Sequence, residues 1–103
     1  MMNNISELRD IIRNLHGVEA THRHSVHVHE VFEGKTIWQG IVEVFDLHGH
    51  PKTDTIYAWS HDTDDPENPR RHVTVLHIDP ALSPLKAVRA AIMQEYRNAN
   101  AEA

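Results

Sequence analysis

The chain has 103 residues, which is enough for one domain and too few for two independent hydrophobic cores. Hydrophobic residues make up 40% of it and charged residues 24%, which is the composition of a folded protein rather than a disordered one. The chain has no cysteine, which excludes disulfide bonds, thiolate metal sites and a cysteine nucleophile. The net charge of −5 argues against broad binding to nucleic acid or to an anionic membrane.

The N-terminal residues lack the basic and then apolar layout of a secretory signal, and no stretch is long enough to span a membrane. We therefore expect a cytoplasmic protein. Histidine is the outlier in the composition, with ten residues. Protonation of all ten would move the net charge from −5 to +5, so we expect solubility and self-association to change steeply below about pH 6.5.

The first element is predicted to be a helix over about residues 4–16. Asn4 followed three positions later by Glu7 is typical of a capping box. Apolar residues then recur at three- and four-residue spacing, at Ile5, Leu8, Ile11, Ile12 and Leu15. Gly17 is a suitable helix terminator, and His16 lies in the last turn, where a positive charge would favour the helix dipole.

Four strands follow, because the apolar residues change to an alternating pattern. We predict them over about residues 22–32, 36–47, 54–60 and 71–78, with a turn at Gly34 and a polar, proline-containing loop over 61–69. The apolar residues of the second strand change parity around Gly40, which indicates either a bulge there or a strand buried on both faces.

A second helix is predicted over about residues 84–97, with Ser83 as its cap, Pro84 in its first position and a frayed tail over 98–103. Short connections make consecutive strands antiparallel neighbours. We therefore predict a single α+β domain over residues 1–103. Its four-stranded antiparallel meander lies between the two helices in sequence, and both helices pack on one face of the sheet.

Packing both helices on one face leaves the second face uncovered. Trp38, Tyr57 and Trp59 give the sheet more aromatic surface than one covered face of a small domain requires. We therefore predict that these three rings form an interaction face, most simply for a second copy of the chain. The alternative is that the strand register places the rings in the main core.

Three His-x-His pairs could each present two imidazoles on one face of a strand. The spacing of His27, His29, Glu33 and Gly40 resembles the first motif of the cupin family, which implies that the two histidines and the glutamate hold a divalent metal. The chain departs from the motif at Thr21, where the leading glycine would fall, and no second motif follows. A cupin barrel also needs about eight strands. The alternative is that these are solvated histidines on a strand.

Other chemistry has little support in the sequence. No nucleophile elbow or phosphate-binding glycine loop is visible, so we expect a protein without enzymatic activity and without a cofactor other than a possible metal. The order of helix, strands and helix resembles a double-stranded RNA-binding domain. However, such domains place a lysine cluster at the start of the last helix, where this chain has only Lys86 and Arg89.

Several segments together resemble a family of short bacterial proteins of unknown function. They are residues 26–32, 36–40, 42–47, 49–52, 57–60 and 87–92, and the resemblance covers about residues 25–96. It implies a bacterial, cytosolic protein and brings no activity or catalytic residues with it.

Three hypotheses for function remain. The first is a homodimeric, non-enzymatic protein-interaction module. The second is a small metal-binding protein or enzyme that uses His27 and His29. The third is a pH-responsive switch driven by the histidines.

Overall fold

The computed structural model describes residues 4–63, 65–67 and 69–101, and only the backbone of Tyr96 and of residues 98–101. The elements are α1 (Asn4–His16), β1 (Glu19–Phe32), β2 (Lys35–His48), β3 (Thr55–Asp62), β4 (Arg70–Leu76) and α2 (Pro84–Ala101). The predicted α+β class and element order are therefore confirmed.

The element boundaries differ most from the prediction at β1 and α2, and β3 and β4 end two residues after and before their predicted ends. β1 begins at Glu19, before the predicted start, and α2 is helical through Ala101, where we expected fraying. The last two residues of the predicted tail lie outside the described residues. The capping box is also replaced by tertiary contacts, because Asn4 Oδ1 accepts hydrogen bonds from Ser60 at 2.9 Å and Arg70 at 3.1 Å.

The sheet is an antiparallel meander in the order β1-β2-β3-β4. Glu33 and Gly34 form the turn between β1 and β2, with φ of 52° and 77°, as a two-residue hairpin turn of this twist requires. Gly40 pairs with Val28 without a register shift, so the second alternative for β2 holds: residues 42–45 are buried on both faces. One register shift leaves Arg23 of β1 unpaired, between His22 and His24, and the other leaves Ile37 of β2 unpaired, opposite the step from Glu30 to Val31.

The two helices pack on opposite faces of the sheet, so the prediction that they share one face is wrong. α1 covers the face that carries Phe45, Ile56 and Ala58, and α2 covers the face that carries Val44 and Tyr57. The physical reason is that β2 and β3 have apolar side chains at consecutive positions, which project to both faces. Each face therefore needs its own helix.

The central strands pair over a short length. β2 pairs with β3 only through residues 43–46 and 55–58, whereas β3 pairs with β4 along residues 56–62. A cavity of about 270 Å³ lies beyond this short ladder, under α2. Its walls come from β2, β3, β4 and α2, and are Trp38, Gln39, Trp59, His61, Val73, Val88, Ala91, Ile92 and Glu95.

Candidate functional site

The three aromatic residues predicted to form an interaction face lie together, but most of their surface is inside the molecule. Trp59 is 2% exposed and Tyr57 4%, while Trp38 is half-buried, with its ring centroid 5.7 Å from that of Trp59. The prediction of an exposed aromatic face is therefore wrong for Tyr57 and Trp59, because α2 covers this side of the sheet. The alternative prediction, that the strand register places the rings in the main core, is correct for these two residues. Burial also raises the pKa of Tyr57, whose hydroxyl lies 2.6 Å from His77 Nδ1.

The outer edge of β1 is an edge of the sheet that is open to a partner. Within the described ranges, β1 pairs with β2 only, so its other edge carries no strand. The two register shifts bracket a regular stretch, residues 24–30, in which every residue pairs with β2 in simple antiparallel order. This stretch is the longest part of β1 that could pair with a further strand without an interruption.

The hydrogen-bond pattern shows which backbone groups face outward from this edge. The Leu47 N–H donates to the Asp54 carbonyl at 2.8 Å, so alternation places the backbone groups of the odd residues of β2 toward β3 and those of the even residues toward β1. Because Val42 pairs with Val26, the even residues of β1 bond to β2. The N–H and C=O groups of Ser25, His27 and His29 therefore point away from the sheet.

Little in this stretch discourages strand pairing. Residues 24–30 contain neither lysine nor proline, the residues that most often protect an edge strand. A recess of about 250 Å³ runs beside the stretch, lined on β1 by residues 26–29 and on the other side by Ser83, Pro84 and Leu85. An open edge next to an apolar recess is the arrangement that proteins use to bind an added strand, whose alternate side chains enter the recess.

The predicted metal ligands are only partly brought together. His27 and His29 lie on the same face of β1 and are exposed, whereas Glu33 lies in the hairpin turn beyond the second register shift. His29 Nε2 is 2.6 Å from the Thr36 hydroxyl, and His27 Nε2 is 3.5 Å from Gln39 Nε2. In the part of the chain that the structure describes, no three His, Asp or Glu residues are grouped to hold a metal ion.

Two buried carboxylates were missed by the sequence analysis. Glu43 is 6% exposed and accepts hydrogen bonds from His22 Nε2 at 3.0 Å and from the Ser25 hydroxyl. Glu30 is equally buried and forms an ion pair with Arg89 of α2. The hydrogen bonds from Arg89 lower the pKa of Glu30, against the opposing effect of burial. The sequence does contain a signal for the burial of Glu30. This residue follows Val26 and Val28 at two-residue spacing, so it lies on the same face of β1 as these two apolar side chains.

Comparison of the chain with protein-family models, with curated proteins and with solved structures found no match in any of the three. The resemblance to a family of short bacterial proteins therefore stays a prediction. Of the helices in the described ranges, none has the length and apolar character needed to cross a membrane.

Proposed function

We propose that this protein is a non-enzymatic interaction module that forms a homodimer by pairing the β1 edge of one copy with the β1 edge of a second copy. The observation that carries the proposal is the regular, unpaired stretch over residues 24–30, with outward-facing backbone groups and an apolar recess beside it. We further propose a cytoplasmic location, which a chain without cysteine suits.

The geometry of the edge favours one register for the dimer. A two-fold axis relates two antiparallel copies of the same strand. At this axis, either one residue lies opposite its own copy or the axis falls between two neighbouring residue pairs. A two-fold axis at His27 pairs residues 24–30 of one copy with residues 24–30 of the other. Both register shifts then lie outside the ladder between the copies. The outward-facing backbone groups of Ser25, His27 and His29 then supply the hydrogen bonds between the copies.

The side chains in this register complement one another. Val26 lies opposite the partner's Val28, on the face where Pro84 and Leu85 form the recess. His24 lies opposite the partner's Glu30, and a histidine across from a carboxylate is a favourable cross-strand pair. The same seven residues therefore provide both apolar and polar complementarity to a second copy.

Sedimentation equilibrium of the wild type and two variants tests the proposal. We expect a dimer of the 11.8 kDa chain for the wild type and a monomer for Ser25→Pro. Proline removes an outward-facing N–H and leaves the hydrogen bonds to β2 in place.

Ser25→Ala is the matched control, since it also loses the hydrogen bond to Glu43 but keeps the N–H, and it should remain a dimer. A wild type that stays monomeric, or a Ser25→Pro variant that is as dimeric as Ser25→Ala, would falsify the proposal.

A further inference from the structure

We propose that the paired β1 edges create a Zn²⁺ site between the two copies, with His27 of each copy as its central ligands. The inference rests on the proposed homodimer, and it goes further by assigning a ligand that neither copy can hold alone. Within one chain, His27 and His29 offer two imidazoles and no third ligand among the described residues. The second copy supplies the ligands that are missing.

Strand geometry brings the histidines together. An axis at His27 places this residue directly opposite the partner's His27, and Cβ atoms in such pairs are about 4.5–5.5 Å apart. His29 is on the same face, two positions along, so it is diagonal to the partner's His27, at about 7–8 Å. Imidazoles extend several ångströms beyond Cβ, so the two opposed His27 rings can reach an ion near the two-fold axis. A small displacement of that ion from the axis brings one of the two equivalent His29 rings within reach as a third ligand.

The chemistry of these side chains suits zinc. Neutral imidazole nitrogens are common zinc ligands, and a tetrahedral ion with three of them keeps its fourth position for water. Both histidines are exposed, and neither forms an ion pair with a carboxylate among the described residues, so both remain available. The Thr36 hydroxyl, 2.6 Å from His29 Nε2, can accept a hydrogen bond from the N–H at that nitrogen and leave Nδ1 free for the metal.

The face of the sheet around His27 is accessible to solvent. His27 pairs with Ile41 of β2, whose side chain is 47% exposed, and α1 packs further along the same face, over Phe45 and Ile56. Solvent and a metal ion therefore have access to the axis from this side. The recess lined by Pro84 lies against the same strand without covering either imidazole, as both remain exposed.

The experiment measures bound zinc on tag-free protein and, separately, the dimer dissociation constant with zinc and with chelator. We expect one Zn²⁺ per two chains and a dissociation constant about tenfold lower with zinc, because an ion that binds only the dimer stabilises it. His27→Ala should lose the zinc and this zinc dependence, yet remain a dimer in chelator, since its backbone still pairs.

His48→Gln, which removes an exposed histidine from β2 outside the paired stretch, is the matched control and should keep one zinc per two chains. One zinc per chain, or zinc retained by His27→Ala, would overturn the inference. An edge-paired dimer that binds no zinc contradicts this inference alone, whereas a wild type that is monomeric with and without zinc also contradicts the proposed function.

Discussion

His16 shows at the residue scale how tertiary packing overrides a local preference. It ends α1, where the helix dipole favours a positive charge. In the fold, however, its Nε2 lies 3.2 Å from the Thr74 hydroxyl and its ring is 6.1 Å from that of His50. Burial, and then the neighbouring His50, lower the pKa of His16. The folded protein therefore favours the neutral imidazole.

This shift predicts a loss of stability in acid. Because the folded state binds the His16 proton less readily than the unfolded state, the free energy of unfolding is highest above the unfolded pKa and falls as the pH drops below it. Urea unfolding at about pH 8 and about pH 5.5 measures the change, since histidine titrates near pH 6.5 when unfolded. His16→Gln should lose less stability between the two pH values than the wild type does, and an equal loss would contradict the assignment.

Trp59 is a core residue rather than an interface residue. It is 2% exposed and packs under α2 against Trp38. Trp59→Ala should therefore lower the free energy of unfolding by about 3–5 kcal/mol, as large-to-small changes of buried aromatic residues do. Denaturant unfolding measures this, and Trp38→Ala, at a half-buried position, should cost less. Near-wild-type stability of Trp59→Ala would show that the ring is not part of the core.

At the scale of elements, an ion pair connects β1 to α2. Glu30 is buried and its partner Arg89 reaches it from the helix, with Nη2 3.3 Å from Oε1. Removal of one partner of such a pair leaves a buried charge without compensation. The pair therefore helps to hold α2 against the β1–β2 hairpin.

Arg89→Met should consequently lower the melting temperature more than Lys86→Met. Lys86 lies on the same helix, is exposed and has no ion pair within the described ranges, so it controls for the loss of a positive charge. The excess loss should shrink as the pH falls through the range in which Glu30 becomes protonated, because a neutral Glu30 no longer needs the guanidinium. Differential scanning calorimetry measures both effects, and equal melting temperatures would argue against the role of the pair.

The elements themselves could be predicted from the sequence, because each has a local signal. Ser83 and Pro84 predict the start of α2, and the alternating valines of β1 predict a strand. The placement of one helix on each face of the sheet could not be predicted in this way. Consecutive apolar residues such as Val44 and Phe45 fit a strand covered on both sides, but periodicity does not say which helix covers which side.

The candidate site was predictable only in part, for a related reason. The sequence singled out His27 and His29, and they do lie on one exposed strand face. It did not indicate that β1 is an edge strand, because strand order is a property of the whole sheet. Nor did it indicate the register shifts, since a bulge changes pairing without a characteristic residue at that position. The outward direction of the His27 backbone follows only from the complete ladder.

At the scale of the whole molecule, the meander places its longest strand at an edge. β1 and β2 each have 14 residues, but β3 covers only one end of β2, and the outer side of β1 is not paired by any described strand. A long unprotected edge promotes association unless something covers it. In the dimer that we propose, a second copy of the chain would cover this edge in the register centred on His27, with complementary side chains.

The most direct test of this account is an isotope-filtered NOE experiment on protein mixed from labelled and unlabelled chains. Val26 and the partner's Val28 form a non-hydrogen-bonded pair in the proposed ladder, so their Cα atoms should be about 4.5 Å apart. We therefore predict an intermolecular NOE between the Hα atoms of Val26 and Val28. A dimer whose intermolecular NOEs all lie outside residues 24–30, or a protein with none, would contradict the account.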